Sequence, residues 1–252
     1  MRFEVLGSFR FLSDRGEAEL GPNQRRLVFA TLVLHMNKPV QIGSIAHVLW
    51  GDDVPESAAG NVQAHVSRIR SQLRRIPTTD VELRTMGRSY VLRGSPDQVD
   101  AHEFRRLAAE AAARNGDRAI ERYDRALALW RGTSALADLT PERSRELLVR
   151  PLEELRLHVL EARNELMLSS GGHQELIPEL TSLVGHHPGR TRTTAQLMLA
   201  LHRSGRTVEA LAIYRSARES IVSTHGLEPA RGLAELHDRI LRDDPALQLA
   251  VV

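Results

Sequence analysis

Hydrophobic and polar positions alternate at the start of the chain, which predicts short β-strands. Phe3 and Val5, then Phe9 and Phe11, follow a period of two, and Gly7-Ser8 between the pairs is typical of a turn. This N-terminal segment is therefore predicted to consist of short strands that bury one side.

Hydrophobic spacing then changes to three and four residues, which predicts helices. A first helix begins after Gly21-Pro22 and ends before Asn37, a short one covers about 44–50, and a longer one covers about 57–75 and is ended by Pro77. The buried stripe of this longer helix is predicted to consist of Val62, Val66, Ile69 and Leu73. In the short helix we expect Ile45 and Leu49 to be buried.

A β-hairpin is predicted after the longer helix, with strands over 81–85 and 89–93 joined through Met86-Gly87-Arg88. Gly94-Ser95-Pro96 then marks a domain boundary, because such residues favour turns and linkers. We therefore predict an N-terminal domain over residues 1–95, in which the elements follow the order of a helix-turn-helix motif and a wing.

Strand patterns vanish beyond this boundary, and helical spacing continues over residues 96–252. Asp100 with Glu103 resembles a helix-capping box. The segment 116–127 resembles 205–217, and one spacing between glycine turns is 33 residues, close to the tetratricopeptide period of about 34. Tetratricopeptide-like helices and an irregular helical bundle are both compatible with this pattern.

The amino-acid composition limits which classes of protein this chain can belong to. The chain has 42% hydrophobic and 26% charged residues, no apolar run that could span a membrane, and no signal-peptide pattern. It contains no cysteine, which excludes disulfides, thiol catalysis and Cys-based zinc sites and fits a cytosolic protein. Residues 1–95 hold 13 Lys+Arg against 9 Asp+Glu, whereas residues 96–252 hold 21 against 23. This asymmetry predicts a basic module joined to a neutral one.

The longer helix carries the strongest functional signal. Residues 57–79 contain no acidic residue, and a carboxylate there would repel phosphate at close range. Outside the buried stripe lie amide, hydroxyl and guanidinium side chains, which bind bases and phosphates in DNA complexes. The candidate DNA-binding residues are Asn61, Gln63, Ala64, Ser67, Arg68, Arg70, Ser71, Arg74 and Arg75. A solvated basic face would explain the charge alone, but the helix-turn-helix order favours DNA binding.

Further candidates surround this helix. The hairpin tip with Thr85 and Arg88 is a candidate wing, because an arginine at a tight turn can enter a narrow minor groove. Arg25 and Arg26, early in the first helix, can contact phosphate, and Trp50 can donate its indole N–H to one. Ordinary surface arginines and a packed tryptophan are the alternatives.

Signals for catalysis are weak. The eleven histidines are scattered, and His186-His187 has no matching ligand cluster. No Walker-type phosphate loop, G-x-S-x-G turn or H-E-x-x-H motif is present. We therefore expect neither an enzyme nor a cofactor or metal site.

Several segments match a known class of regulators in order and spacing. They include FEVLGSF (3–9), HVSRIRSQL (65–73), LRTMGRSYVL (83–92), VDAHEF (99–104), ALALWRG (126–132) and HGLEPARGLAELHDRIL (225–241). On these segments the chain resembles the Streptomyces antibiotic regulatory protein (SARP) family over nearly its whole length. Members of this family join an OmpR/PhoB-type winged helix to a bacterial transcriptional activation domain of tetratricopeptide-like helices.

This resemblance implies activation of genes, often for secondary metabolites, through direct repeats near promoters and contact with RNA polymerase holoenzyme, including its sigma factor. It implies that Arg68 reads bases. Neighbouring contact positions are then Asn61, Gln63, His65, Ser67 and Arg70, while Thr85 and Arg88 match the wing and Trp50 a backbone-contacting tryptophan. Three positions depart from the family pattern: Ser89, where the wing commonly has glycine; Gly189, where a larger apolar residue usually follows His187-Pro188; and Pro178, which is expected to interrupt a helix. No ATPase module or receiver domain is expected.

We therefore predict a mainly α fold with a small β component, in which a winged helix-turn-helix precedes an all-α tetratricopeptide-like domain. The predicted function is that of a cytoplasmic, nucleoid-associated activator that binds double-stranded DNA as a homodimer and contacts no membrane. A ligand-responsive winged-helix repressor and a helical interaction scaffold remain alternatives. Release from DNA by a ligand would favour the first, and failure to bind a duplex would favour the second.

Overall fold

Contacts within the chain define two compact units in this computed structural model. The first comprises residues 1–113 and 121–158, and the second comprises residues 114–120 and 159–252. The structure describes three stretches: residues 1–76, 80–139 and 144–248.

Short antiparallel strands open the first unit: β1 (Arg2–Glu4), β2 (Arg10–Ser13) and β3 (Gly16–Glu17). Phe3 pairs with Phe11 across β1 and β2, and their rings stack with centroids 4.8 Å apart. Phe29 meets both rings edge-on at 5.5 and 5.6 Å, a preferred geometry for aromatic rings. The predicted strands are confirmed, and their phenylalanines form the core beneath the first helix.

Helices follow: α1 (Asn23–Leu34), α2 (Ile42–Trp50) and α3 (Ala58–Arg74). The predicted helices and the buried stripe of α3 are confirmed. In α2, Ile45 is buried as expected, but Val48 is buried where Leu49 was predicted and Leu49 is only half-buried. Pro77, which was predicted to end the third helix, lies outside the described residues.

A second antiparallel sheet forms the wing: β4 (Val40–Gln41), β5 (Glu82–Met86) and β6 (Ser89–Arg93), in the order β4-β6-β5. The predicted hairpin is confirmed. Met86 pairs with Ser89 across a turn in which Gly87 has a φ of 58°, a left-handed value that suits glycine. Ser89, where glycine is common in related wings, is accommodated within β6.

A buried carboxylate joins the next helix, α4 (Asp100–Ala112), to the end of β1. Asp100 accepts the backbone N–H groups of Val5 at 2.8 Å and Leu6 at 3.1 Å, and lies 3.3 Å from a guanidinium nitrogen of Arg131. The predicted capping box is therefore wrong, because Val99 caps the helix and Asp100 reaches to the strand. Burial raises the pKa of Asp100, although the N–H groups of Val5 and Leu6 and the charge of Arg131 act in the opposite direction.

Residues after the predicted boundary at 95/96 complete the hydrogen bonding of the first unit. Arg131 N donates to Leu6 O at 2.8 Å, and Leu136 N donates to Val5 O at 3.0 Å. A Cβ added to Gly7, whose φ is 145°, would lie 3.3 Å from Cβ of Arg131, so glycine permits this close approach. The boundary itself stays a prediction, but the N-terminal strands depend on residues well beyond it.

The remaining chain is helical: α5 (Asp117–Leu127), α6 (Arg150–Ser169), α7 (His173–His186), α8 (Thr191–Arg203), α9 (Thr207–His225) and α10 (Arg231–Leu241). In the second unit α8 packs against α7 and α9, around a core that includes Leu180, Met198 and Leu233. The predicted interruption at Pro178 is wrong, because α7 continues through it. The mainly α fold class is confirmed. None of the helices in the described stretches is long and apolar enough to cross a bilayer.

Candidate DNA-binding surface

The side of α3 opposite its buried stripe is exposed and carries no carboxylate. Val62, Val66 and Ile69 are each at most 1% exposed, which fixes the orientation of the helix on the core. The exposed candidates on this helix and directly after it are Asn61, Gln63, Ala64, Ser67, Arg68, Ser71, Arg74 and Arg75. Their predicted exposure is confirmed, whereas their contacts with DNA stay a prediction.

Within the described stretches, the guanidinium groups of Arg68, Arg74 and Arg75 make no ion pair or hydrogen bond. Many arginines elsewhere are paired; Arg150, for example, lies 2.6 Å from Glu146. A guanidinium without a carboxylate partner keeps its donors for phosphate oxygens or for the acceptors of guanine.

Arg70 differs, because its side chain binds the wing. Its Nε donates to Leu83 O at 2.8 Å, its Nη2 donates to Thr85 Oγ1 at 2.5 Å, and its Cζ lies 5.7 Å from the centroid of the Tyr90 ring. The resemblance implied that Arg70 and Thr85 contact DNA. In the structure they contact each other, so we reinterpret this pair as a brace between α3 and β5. The sequence contains no local signal for this contact.

Arg26 is likewise occupied within the first unit. Its Nη2 donates to Phe9 O at 2.9 Å and forms an ion pair with Asp138. This placement argues against its predicted role as a phosphate contact, because the negative charge of Asp138 offsets the positive charge that would attract phosphate. Trp50, the last residue of α2, is half-buried, and the structure leaves its predicted backbone contact untested.

Arg25 lies on α1 and His65 on α3; the two helices pack against each other, and both side chains are half-buried. Burial is the largest cause that lowers the pKa of His65 below its usual 6.5, followed by the charges of Arg25 and Arg68. Nδ1 of His65 and Nε of Arg25 are buried and lack hydrogen-bond partners among the described residues. This surface is therefore positively charged and holds two buried nitrogens that lack hydrogen-bond partners among the described residues.

The wing tip is anchored through its backbone. Arg88 O accepts the N–H of Ile42 at the start of α2, at 3.0 Å, while the Arg88 side chain is exposed. Met86 is 52% exposed, which is high for a large apolar side chain. On the neighbouring strand positions, Arg84 pairs with Glu82 at 2.6 Å. Arg88 is therefore the unpaired cation of the tip within the described residues.

Among residues 1–76, 80–139 and 144–248, no group of three or more His, Asp and Glu side chains is placed to hold a metal ion. The exposed, acid-free face of α3 and the wing tip with Arg88 form the candidate functional site.

Comparisons with known proteins point to regulators of transcription. A family model described as "Bacterial transcriptional activator domain" matches residues 99–241. The chain is 39% identical to Regulatory protein DnrI of Streptomyces peucetius, covering 88% of this chain and 85% of that protein. It is 31% identical to Transcriptional regulator RedD of Streptomyces coelicolor, covering 99% of this chain and 73% of that protein.

Longer proteins match over part of their length. The chain is 38% identical to Regulatory protein AfsR of Streptomyces coelicolor, covering 98% of this chain and 25% of that protein. The solved structure of Mycobacterium tuberculosis EmbR in complex with a low affinity phosphopeptide matches with a TM-score of 0.83 and 28% identity, covering 97% of this chain and 65% of that one. This chain therefore matches part of each of these longer proteins.

Proposed function

Because the chain belongs to the Streptomyces antibiotic regulatory protein family of transcriptional activators, we propose that it binds double-stranded DNA through α3 and the β5–β6 wing. The recognition helix α3 enters the major groove, which is wide enough to admit an α-helix. The wing tip with Arg88 lies on the adjacent minor groove or backbone. The protein does no chemistry of its own in this proposal.

One observation carries the proposal: an exposed, acid-free face with unpaired Arg68 lies on a helix that is braced to the wing. Arg70 ties α3 to β5 through Leu83 O and Thr85 Oγ1. Such a brace supports simultaneous docking of helix and wing, because both elements are held in one orientation before DNA arrives. Preorganisation of this kind lowers the entropic cost of binding.

We further propose that two copies bind direct repeats near promoters and recruit RNA polymerase holoenzyme, including its sigma factor. The basic surplus lies in residues 1–95, whereas residues 96–252 carry slightly more acidic than basic residues. The helical part is therefore suited to protein contacts rather than to phosphate. Membership of the Streptomyces antibiotic regulatory protein family supports genes for secondary metabolites as the regulated pathway.

Salt-dependent binding of the full chain to promoter duplexes tests this proposal. Each phosphate contact made by a cation contributes a slope of about −0.9 to the log–log dependence of affinity on salt. We expect tight binding with a steep slope, weakened in Arg68→Ala. Arg215→Ala provides a matched control, because Arg215 is an exposed arginine on α9. Salt-insensitive binding, or equal losses in both variants, would contradict the proposal.

A further inference from the structure

A histidine lies among guanidinium groups at the edge of the proposed DNA surface. His65 precedes Arg68 by three residues on α3, and α1, which carries Arg25, packs against α3. A Cβ on Gly21 would lie 2.7 Å from Nη1 of Arg25, so this guanidinium rests against the turn before α1. We call these residues the Arg25–His65–Arg68 cluster.

No carboxylate among the described residues balances the cluster. On α1, the neighbouring Arg26 is paired with Asp138, and on α3 itself Arg70 is bound to the wing. The charges that act on the His65 ring are those of Arg25 and Arg68, and both are positive.

Among the described residues, the other groups near α3, including Glu19, whose backbone O accepts from Gln72 Nε2 at 2.8 Å, are not among the charges that act on the His65 ring. His47 of α2 lies with Nδ1 3.0 Å from Gly51 O, and Glu82 and Arg84 of β5 pair with each other. Burial and the two guanidinium charges therefore leave His65 neutral in the free protein near neutral pH, with its pKa lowered.

We propose that His65 takes up a proton when a DNA phosphate approaches the Arg25–His65–Arg68 cluster, so that DNA affinity rises as pH falls. The inference rests on the proposed DNA-binding function and adds proton uptake to it. A phosphate supplies the negative charge that the cluster lacks, which favours the imidazolium form. Because Nδ1 of His65 is buried, the phosphate acts on the ring through its charge: protonation adds a third positive charge to the cluster, and a nearby phosphate stabilises that charge.

The direction of the pH dependence follows from linkage. The free protein holds the ring neutral, and the complex holds it protonated, so binding consumes a proton between the two pKa values. Affinity is highest below this window and is lost as pH rises through it, by at most about tenfold for each pH unit. The lower edge of this window is the lowered pKa of His65 in the free protein, and its upper edge is the pKa that the DNA phosphate raises in the complex.

Titration of DNA affinity from pH 5.5 to 7.5 tests the inference. The probe is a random-sequence duplex of 30 base pairs at fixed ionic strength, because phosphate contacts do not depend on sequence. We expect the affinity of the full wild-type chain to fall about three- to tenfold over this range. His65→Gln should flatten the dependence, and His65→Arg should flatten it while binding tightly at both ends. His47→Gln, the matched control, should keep the wild-type slope.

Calorimetry on the wild-type chain supplies a second readout that does not depend on how a variant folds. Binding heats measured at pH 6.5 in two buffers of different ionisation enthalpy should show uptake of up to one proton, and His65→Gln should lose it. Zero uptake by the wild type, or equal pH slopes in wild type and His65→Gln, would overturn the inference and leave DNA binding intact. A wild-type chain that binds no duplex at any pH would overturn the proposed function as well.

Discussion

Replacing Arg70 with alanine distinguishes a brace between α3 and the wing from a contact with DNA bases. The variant loses two hydrogen bonds, to Leu83 O at 2.8 Å and to Thr85 Oγ1 at 2.5 Å, and the contact of the guanidinium with the Tyr90 ring. It leaves the remaining hydrogen bonds of the hairpin in place. If Arg70 is a brace, the wing should open more readily even in the absence of DNA.

The size of the effect follows from these contacts. Hydrogen bonds of this kind contribute about 0.5–1.5 kcal/mol each, and a partly exposed cation–π contact contributes about 0.5–1 kcal/mol. Arg70 is partly exposed to solvent, which screens the electrostatic contribution of these contacts. We therefore expect the free energy of opening of the hairpin to fall by about 2 kcal/mol, which corresponds to roughly 30-fold faster amide exchange.

Hydrogen exchange across 82–93, together with competition binding, measures both consequences. Arg70→Ala should weaken binding to operator and random duplex alike, because a loosened wing disturbs docking on any sequence. Arg74→Ala, the neighbouring exposed arginine without a described partner, should leave exchange unchanged. Unchanged exchange in Arg70→Ala together with relaxed preference at one base pair would refute the brace and make Arg70 a base reader.

The remaining predictions concern other residues of the first unit. Arg68→Ala should cost about 1–3 kcal/mol on the operator and relax preference at one base pair, with a smaller loss on random DNA; competition binding that shows equal losses on both would remove Arg68 as a base reader. Arg74→Ala should weaken all sequences alike and reduce the salt slope by about one unit, and an unchanged slope would rule out a phosphate contact. Asp100→Ala should lower the free energy of unfolding by about 2–5 kcal/mol, because the buried N–H groups of Val5 and Leu6 lose their acceptor. Denaturant unfolding of the full chain measures this loss, and a change under 0.5 kcal/mol would contradict the role assigned to Asp100.

The elements whose hydrophobic residues recur at a regular spacing could be predicted from the sequence. The stripe Val62, Val66 and Ile69 is buried as its helical spacing predicts, because a helix presents positions three and four apart to the same side. Strand β4 could not be predicted. It is two residues long, and its pairing of Val40 with Tyr90 depends on a partner 50 positions away.

In the candidate site, too, the features that follow from local spacing could be predicted, and those that depend on distant partners could not. Exposure of Arg68 and its neighbours follows from their positions between buried residues. The partners of Arg26 and Arg70 do not, since Asp138 lies 112 positions from Arg26 and Leu83 lies 13 positions from Arg70. Patterns of residue type show where arginines lie on a helix, but only tertiary contacts decide which guanidinium groups remain available to DNA.

Methylation interference on an operator duplex tests the central claim most directly, because N7 of guanine lies in the major groove and is an acceptor for arginine. We predict that N7-methylated guanines within each repeat block binding of the wild-type chain. Arg68→Ala should lose this sensitivity at one guanine in each repeat and keep it at the others. Binding that is indifferent to N7 methylation at every guanine would contradict the placement of α3 in the major groove.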